Sequence, residues 1–185
     1  WRPLRDRRAP RPRGRAPDPP GAGRGPAWPT DRPLTLRDEV ALLEPVWARA
    51  GTSFALVGHS YGAAVALLST LQWPARVRAL VLYEPTLFAL VDATTPPPNA
   101  ADGIRLTVTR APAARAAGPR SAAAVIVIDY GMGAGAGAAK PEAQRGAIET
   151  AVTHVQGWGQ ALFGEPTPLE AFQALQMPVL LMKGS

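Results

Sequence analysis

Residues 54–71 restrict this chain more than any other stretch. A short apolar run, Phe54-Ala55-Leu56-Val57, meets Gly58-His59-Ser60-Tyr61-Gly62 and passes without a break into Ala63-Ala64-Val65-Ala66-Leu67-Leu68. The first part has strand composition and the last has helix composition, so the glycine-flanked segment between them must turn the chain sharply. A turn that tight needs small residues on either side of its apex, so that the helix can lie close against the strand it leaves. The run from Ser53 to Val57 suits a strand buried on both faces. The helix should extend from Ala63 to Leu71, with Pro74 stopping it.

The flanking segments fit the same plan. Thr35 is a good N-cap, Asp38 and Glu39 complement the first turn of a helix, and Leu36, Val40, Leu43 and Trp47 share one face. Pro45 should kink that helix and Gly51 should close it. After the turn, Val77-Arg78-Ala79-Leu80-Val81-Leu82-Tyr83 reads as a second strand, ended by Glu84-Pro85. Helix, strand, helix, strand is the order of a parallel sheet with crossover helices.

Between residues 91 and 139 periodicity fades into Pro96-Pro97-Pro98, scattered alanines and a Gly/Ala tract from Gly131, and only residues 124–130 read as ordered. Pro141 at a first helical position introduces a helix with Ala147, Ile148, Ala151, Val152 and Val155 along one stripe. Thr167-Pro168-Leu169-Glu170 reads as a capping box starting a short helix to about Gln176. Pro178 to Met182 reads as a further buried strand.

Composition matters at three points. With 185 residues, 46% of them hydrophobic, the chain is long enough for one domain with a core. It has no cysteine, which removes disulfides, a thiolate nucleophile and cysteine-bound metal. The net charge of +6 is confined to one end: residues 1–15 hold seven arginines against one aspartate, whereas the remainder holds thirteen basic and thirteen acidic residues. No aromatic residues interleave with those arginines, so a solvated arm is expected rather than a nucleic-acid-binding module. No signal-peptide pattern follows the arginines, and Gly58, His59, Ser60 and Gly62 interrupt the longest apolar stretch, so no membrane partner and a cytoplasmic location are expected. The sequence begins at Trp1 rather than methionine, which suggests that something upstream is missing.

The chemistry sits at the turn. A serine hydroxyl is a weak nucleophile at neutral pH, and needs a base together with a backbone that holds its oxygen toward the substrate. Gly-x-Ser-x-Gly alone is a weak signal; a strand running in and a helix running out make it specific. A phosphate-binding loop is disfavoured, because the lysine of a P-loop and the third glycine of a dinucleotide fingerprint are both absent.

On these residues the chain resembles the α/β-hydrolase family, in its serine-nucleophile branch. Residues 16–23 look like the family's loop after the fourth strand, residues 34–39 the helix start that follows, and residues 54–67 the nucleophile elbow. Residues 77–85 look like the sixth strand and residues 177–184 the seventh, with a cap inserted between them. The resemblance implies a partial α/β-hydrolase fold: a mostly parallel sheet with flanking helices and a helical cap insertion. It divides the chain into an Arg/Pro-rich tail (1–15), a core with the elbow (16–92), a cap-like insertion (93–176) and a returning strand (177–185).

The same resemblance makes Ser60 the nucleophile and the Tyr61 backbone N–H an oxyanion donor, with Glu84 a candidate acid at the end of the sixth strand. Serine at the elbow argues against the branches that place aspartate there. His59 occupies a position that points away from the serine, and Asp18 matches a turn-forming aspartate. The family's triad histidine follows the eighth strand, whereas this chain has only His59 and His154, the latter falling in the cap. The implied activity is attack on an ester, thioester or related acyl bond of a small molecule through an acyl-serine, without cofactor or metal. Acyl transfer and perhydrolysis are not separated from hydrolysis. The alternative is a truncated or degenerate hydrolase-fold protein without catalysis. Neither oligomeric state nor the substrate is legible.

Overall fold

The computed structural model describes residues 14–184 apart from 22, 27, 29 and 30, so most of the arginine-rich arm lies outside the described residues. Helix α1 (Leu36–Leu42) starts on a capping box: the Thr35 hydroxyl accepts the Asp38 N–H at 3.2 Å, and the Asp38 carboxylate accepts the Thr35 N–H at 2.9 Å. Arg32 grips the same carboxylate with both guanidinium nitrogens, at 2.7 and 2.8 Å, and that contact holds the Asp38 carboxyl below the usual range. The anticipated kink is a break at Leu43, after which α2 (Glu44–Ala48) restarts with Pro45 in its first turn. Proline lacks the N–H that an uninterrupted helix would need there.

Strand β1 (Phe54–His59) leads into α3 (Tyr61–Gln72), and β2 (Val77–Tyr83) follows. β1 and β2 pair in parallel, with Leu56 opposite Leu80 and His59 opposite Tyr83. Leu36 and Val40 of α1 pack with Ala64, Val65 and Leu68 of α3 in one apolar cluster. Fully burying a leucine or valine side chain stabilises the fold by about 1.5–3 kcal/mol. The other face of α3, through Ala63 and Ala66, meets Phe54, Leu56, Leu80 and Leu82 of the sheet.

One expectation for β1 fails. Its residues alternate between buried and exposed, and Val57 is 74% exposed, because no described element covers that face. The strand is buried on one side only.

A helical layer follows the second strand: α4 (Phe88–Thr94), α5 (Asp102–Ala117), α6 (Arg120–Met132), the single turn α7 (Ala136–Ala139) and α8 (Glu142–Phe163). Helix α5 falls where the sequence shows no periodicity, and it accommodates Pro112 in its interior. Packing overrides propensity here: Ala111 beside the proline is fully buried against Ala123, Ala124 and Ile128 of α6 and Val152 of α8. Asp92 anchors the start of the layer by accepting from Arg105 at 2.6 and 2.8 Å and from Asn99 at 2.8 Å. Within the anticipated stripe of α8, Val152 is buried with Ile148 and Val155 packed alongside, while Ala147 and Ala151 lie outside the described side chains.

The expected capping box at Thr167 does not form. Its hydroxyl instead donates to Glu165 at 2.5 Å, and the chain makes a 3-10 turn over Leu169–Ala174. Strand β3 (Val179–Met182) then pairs in parallel with β2, giving the sheet order β1-β2-β3. It was expected to be buried, yet Leu180 and Leu181 are 54% and 64% exposed. As the outer strand of the described sheet, it has a neighbour along only one edge. Among the described residues no helix is long and apolar enough to cross a membrane.

Candidate active site at the strand-to-helix turn

Ser60 sits at the apex between β1 and α3 with φ 52° and ψ −122°, a conformation that a residue bearing a Cβ rarely adopts. Two sets of hydrogen bonds hold it there. Its N–H donates to the Tyr83 carbonyl at 2.9 Å, and its own carbonyl accepts from Ala63 at 2.9 Å and Ala64 at 3.3 Å, closing the first turn of α3. The first N–H groups of a helix have no intrahelical acceptor, so the amide at Tyr61 lies at the positive end of the α3 dipole, beside the serine.

Close approach of helix and strand depends on Gly58. A Cβ there would stand 2.5 Å from both the Ala63 Cα and the Gly62 carbonyl, which are main-chain atoms with no room to move. Gly62 differs, since a Cβ at that position meets nothing within 4 Å. The second glycine of the motif is therefore not required by packing among the described residues.

Glu84 follows β2 immediately and also has a left-handed backbone, φ 48°. Its carboxylate accepts the Gly184 N–H at 3.0 Å and lies 3.7 Å from His59 Nε2, whose ring stacks on Tyr83 at 4.8 Å. Ser60, Tyr61 and Glu84 thus gather at the C-terminal ends of the parallel strands, where open α/β sheets bind ligands. Among the described residues no hydrogen bond engages the Ser60 hydroxyl. His154 projects from α8 onto Gly21 and the Trp158 ring, 5.9 Å away. Asp18 accepts the Arg24 N–H at 3.0 Å and shapes its own loop.

Two neighbours of the turn carry no site signal in the sequence. Glu39 on α1 is only 3% exposed, and it accepts a hydrogen bond from the Tyr61 hydroxyl at 3.1 Å. Trp158 on α8 approaches the Tyr61 ring at 5.6 Å. Burial lifts the Glu39 carboxyl to about 7, with the charge of Asp38 adding and the Tyr61 hydroxyl opposing; burial likewise pushes the Tyr61 phenol upward. Glu39 looks in sequence like an ordinary first-turn acid, and its burial depends on α3 packing against α1 and bringing Tyr61 onto it. A groove of about 990 Å³ runs along the unpaired edge of β1 and reaches Glu39, His59, Tyr61, Gly62 and Trp158.

Comparison with solved structures shows the same architecture. An α/β hydrolase from Sphaerobacter thermophilus superposes with a TM-score of 0.59 at 23% identity, covering 91% of this chain and 62% of that one. An α/β hydrolase enzyme from a Medee basin deep-sea metagenome library gives a TM-score of 0.64 at 18% identity, covering 89% of this chain and 58% of that one. The chain therefore spans about three fifths of the length of these relatives. No curated protein matches it. The model of the alpha/beta hydrolase family matches residues 1–185, and the chain belongs to that family.

Proposed function

We infer that the chain carries the nucleophile-bearing part of a serine hydrolase that opens an ester, thioester or related acyl bond of a small molecule through an acyl-serine. The observation that carries this reading is the strained backbone of Ser60 at the head of α3. Strain of this kind costs about 1–3 kcal/mol and persists where the surrounding structure enforces it, commonly at reactive centres. In the proposed reaction the Ser60 hydroxyl attacks the acyl carbon, its proton passes to a base, and the carbonyl oxygen gains negative charge; collapse of that adduct breaks the bond to the alcohol or thiol, which leaves with the proton from the base, and water later releases the acyl group from Ser60. The Tyr61 N–H, backed by the α3 dipole, donates to that oxygen. Glu84 enters as the acid of the relay, on the strength of its left-handed backbone and its place one residue beyond the strand that fastens Ser60. The helices between β2 and β3 serve in this reading as the cap over the acyl group.

A second reading, a hydrolase-fold protein without turnover, is favoured by one observation: no base reaches the Ser60 hydroxyl among the described residues. A fluorophosphonate probe separates the two. Labelling that disappears in Ser60→Ala supports an activated serine. Absence of labelling in this chain supports the second reading.

A further inference from the structure

Glu39 is an expensive residue to bury, and its carboxyl has a single described hydrogen-bond partner. A carboxyl this enclosed is normally matched by a cation or several donors. Here the described contact is the Tyr61 hydroxyl at 3.1 Å, and no described ion pair includes Glu39. The charged and titratable groups around it are Asp38 on its own helix, Tyr61 from α3, and Arg15, Asp18, Arg49 and His59 on the shared groove. From α8 the groove takes Trp158, which carries no charge and stacks toward His154.

The position of its partner gives this contact significance. Tyr61 directly follows the strained Ser60, so the peptide joining them presents the amide at the head of α3. The Tyr61 side chain anchors that peptide from the far side through Glu39, through Trp158 at 5.6 Å, and through the apolar cluster of α1 and α3. A hydrogen bond from a phenol to a carboxylate is shorter and stronger than one to a neutral carboxyl. The grip on the elbow therefore depends on the charge state of Glu39.

We propose that Glu39 is a positioning residue for the elbow: its ionised carboxylate, through the Tyr61 hydroxyl, fixes the amide beside Ser60, and protonation of Glu39 loosens it. The role for that amide rests on the serine-hydrolase reading above. The coupling between Glu39 and the elbow does not.

Two readouts on the full chain keep these apart. In a 15N amide titration, the Tyr61 resonance should shift with a midpoint near 7, the value to which burial lifts Glu39. Glu39→Gln, which has the shape of the protonated acid, and Tyr61→Phe should both abolish that step. A Tyr61 amide that does not titrate, or that titrates unchanged in Glu39→Gln, overturns the proposal. The second readout is the rate of fluorophosphonate labelling against pH. Glu39→Gln at pH 8 should label roughly three- to tenfold more slowly than wild type, close to the rate wild type reaches when acidified, and its profile should lose that limb. Equal rates and identical profiles overturn the positioning role. If wild type does not label at all, the hydrolase reading fails for this chain and the amide titration alone decides the coupling.

Discussion

The main-chain N–H of Ser60 donates to the carbonyl of Tyr83 at 2.9 Å, so the apex of the turn is fastened to the last residue of the neighbouring strand. This bond helps to hold a residue with a Cβ at φ 52°. Glycine occupies such a conformation without the Cβ penalty, whereas alanine retains it. Ser60→Gly should therefore be more stable than Ser60→Ala by about 1–2 kcal/mol, read from urea midpoints, although both lose the hydroxyl. Equal stabilities would mean that the turn holds no strain.

The two glycines of the turn should respond in opposite directions. Gly58→Ala drives a Cβ to 2.5 Å from main-chain atoms of α3, which forces strand and helix apart. It should cost about 1–3 kcal/mol and shift near-ultraviolet signals from Trp47 and Trp73. Gly62→Ala enters open space within α3, where alanine is the better helix former, and should raise stability by about 0.5–1 kcal/mol. Thermal melts of the two variants decide the matter, and destabilisation by Gly62→Ala would show that the groove cannot admit a methyl.

The legible parts of this fold are those where local and global preferences agree. Thr35 and Asp38 announce α1 by composition alone, and the run from Val77 to Tyr83 is a strand with the expected bounds. Helix α5 was illegible because Pro112 and its alanines carry no period, and the burial of Ala111 that selects the helix is supplied by α6 and α8. The exposure of β1 and β3 is not legible for a related reason. An unbroken apolar run tells that a strand expects cover, while the cover itself belongs to other elements. At the site, Ser60 is legible because strand, glycine, serine and helix all point to one geometry. Glu39 is hidden because nothing local separates a buried first-turn acid from a solvated one.

Glu84 offers a direct test of the proposed relay. Glu84→Gln keeps the shape and can still accept the Gly184 N–H, so the strand ends should stay in place. If the carboxylate acts in the relay, the rate of fluorophosphonate labelling should fall by about tenfold or more, since a neutral amide cannot stabilise a charged base. An unchanged rate would leave Glu84 as a residue that ties β2 to Gly184, and the search for the acid would move elsewhere.

Glu39 also predicts how stability depends on pH. Its carboxyl is raised from 4.5 to about 7 in the folded protein, chiefly by burial. Below 4.5 both folded and unfolded chains hold the proton, and burial costs no charge. Between 4.5 and 7 the unfolded chain ionises while the folded chain keeps its proton, so native stability falls as pH rises. Above that window both forms are ionised and the loss is complete, at most about 3 kcal/mol. Glu39→Gln should abolish this dependence, matching wild type near pH 4.5 and exceeding it in urea midpoint at pH 8. The same substitution is expected to weaken the grip on Tyr61, so stability and elbow geometry should move in opposite directions at pH 8. A purely structural glutamate would lose both together.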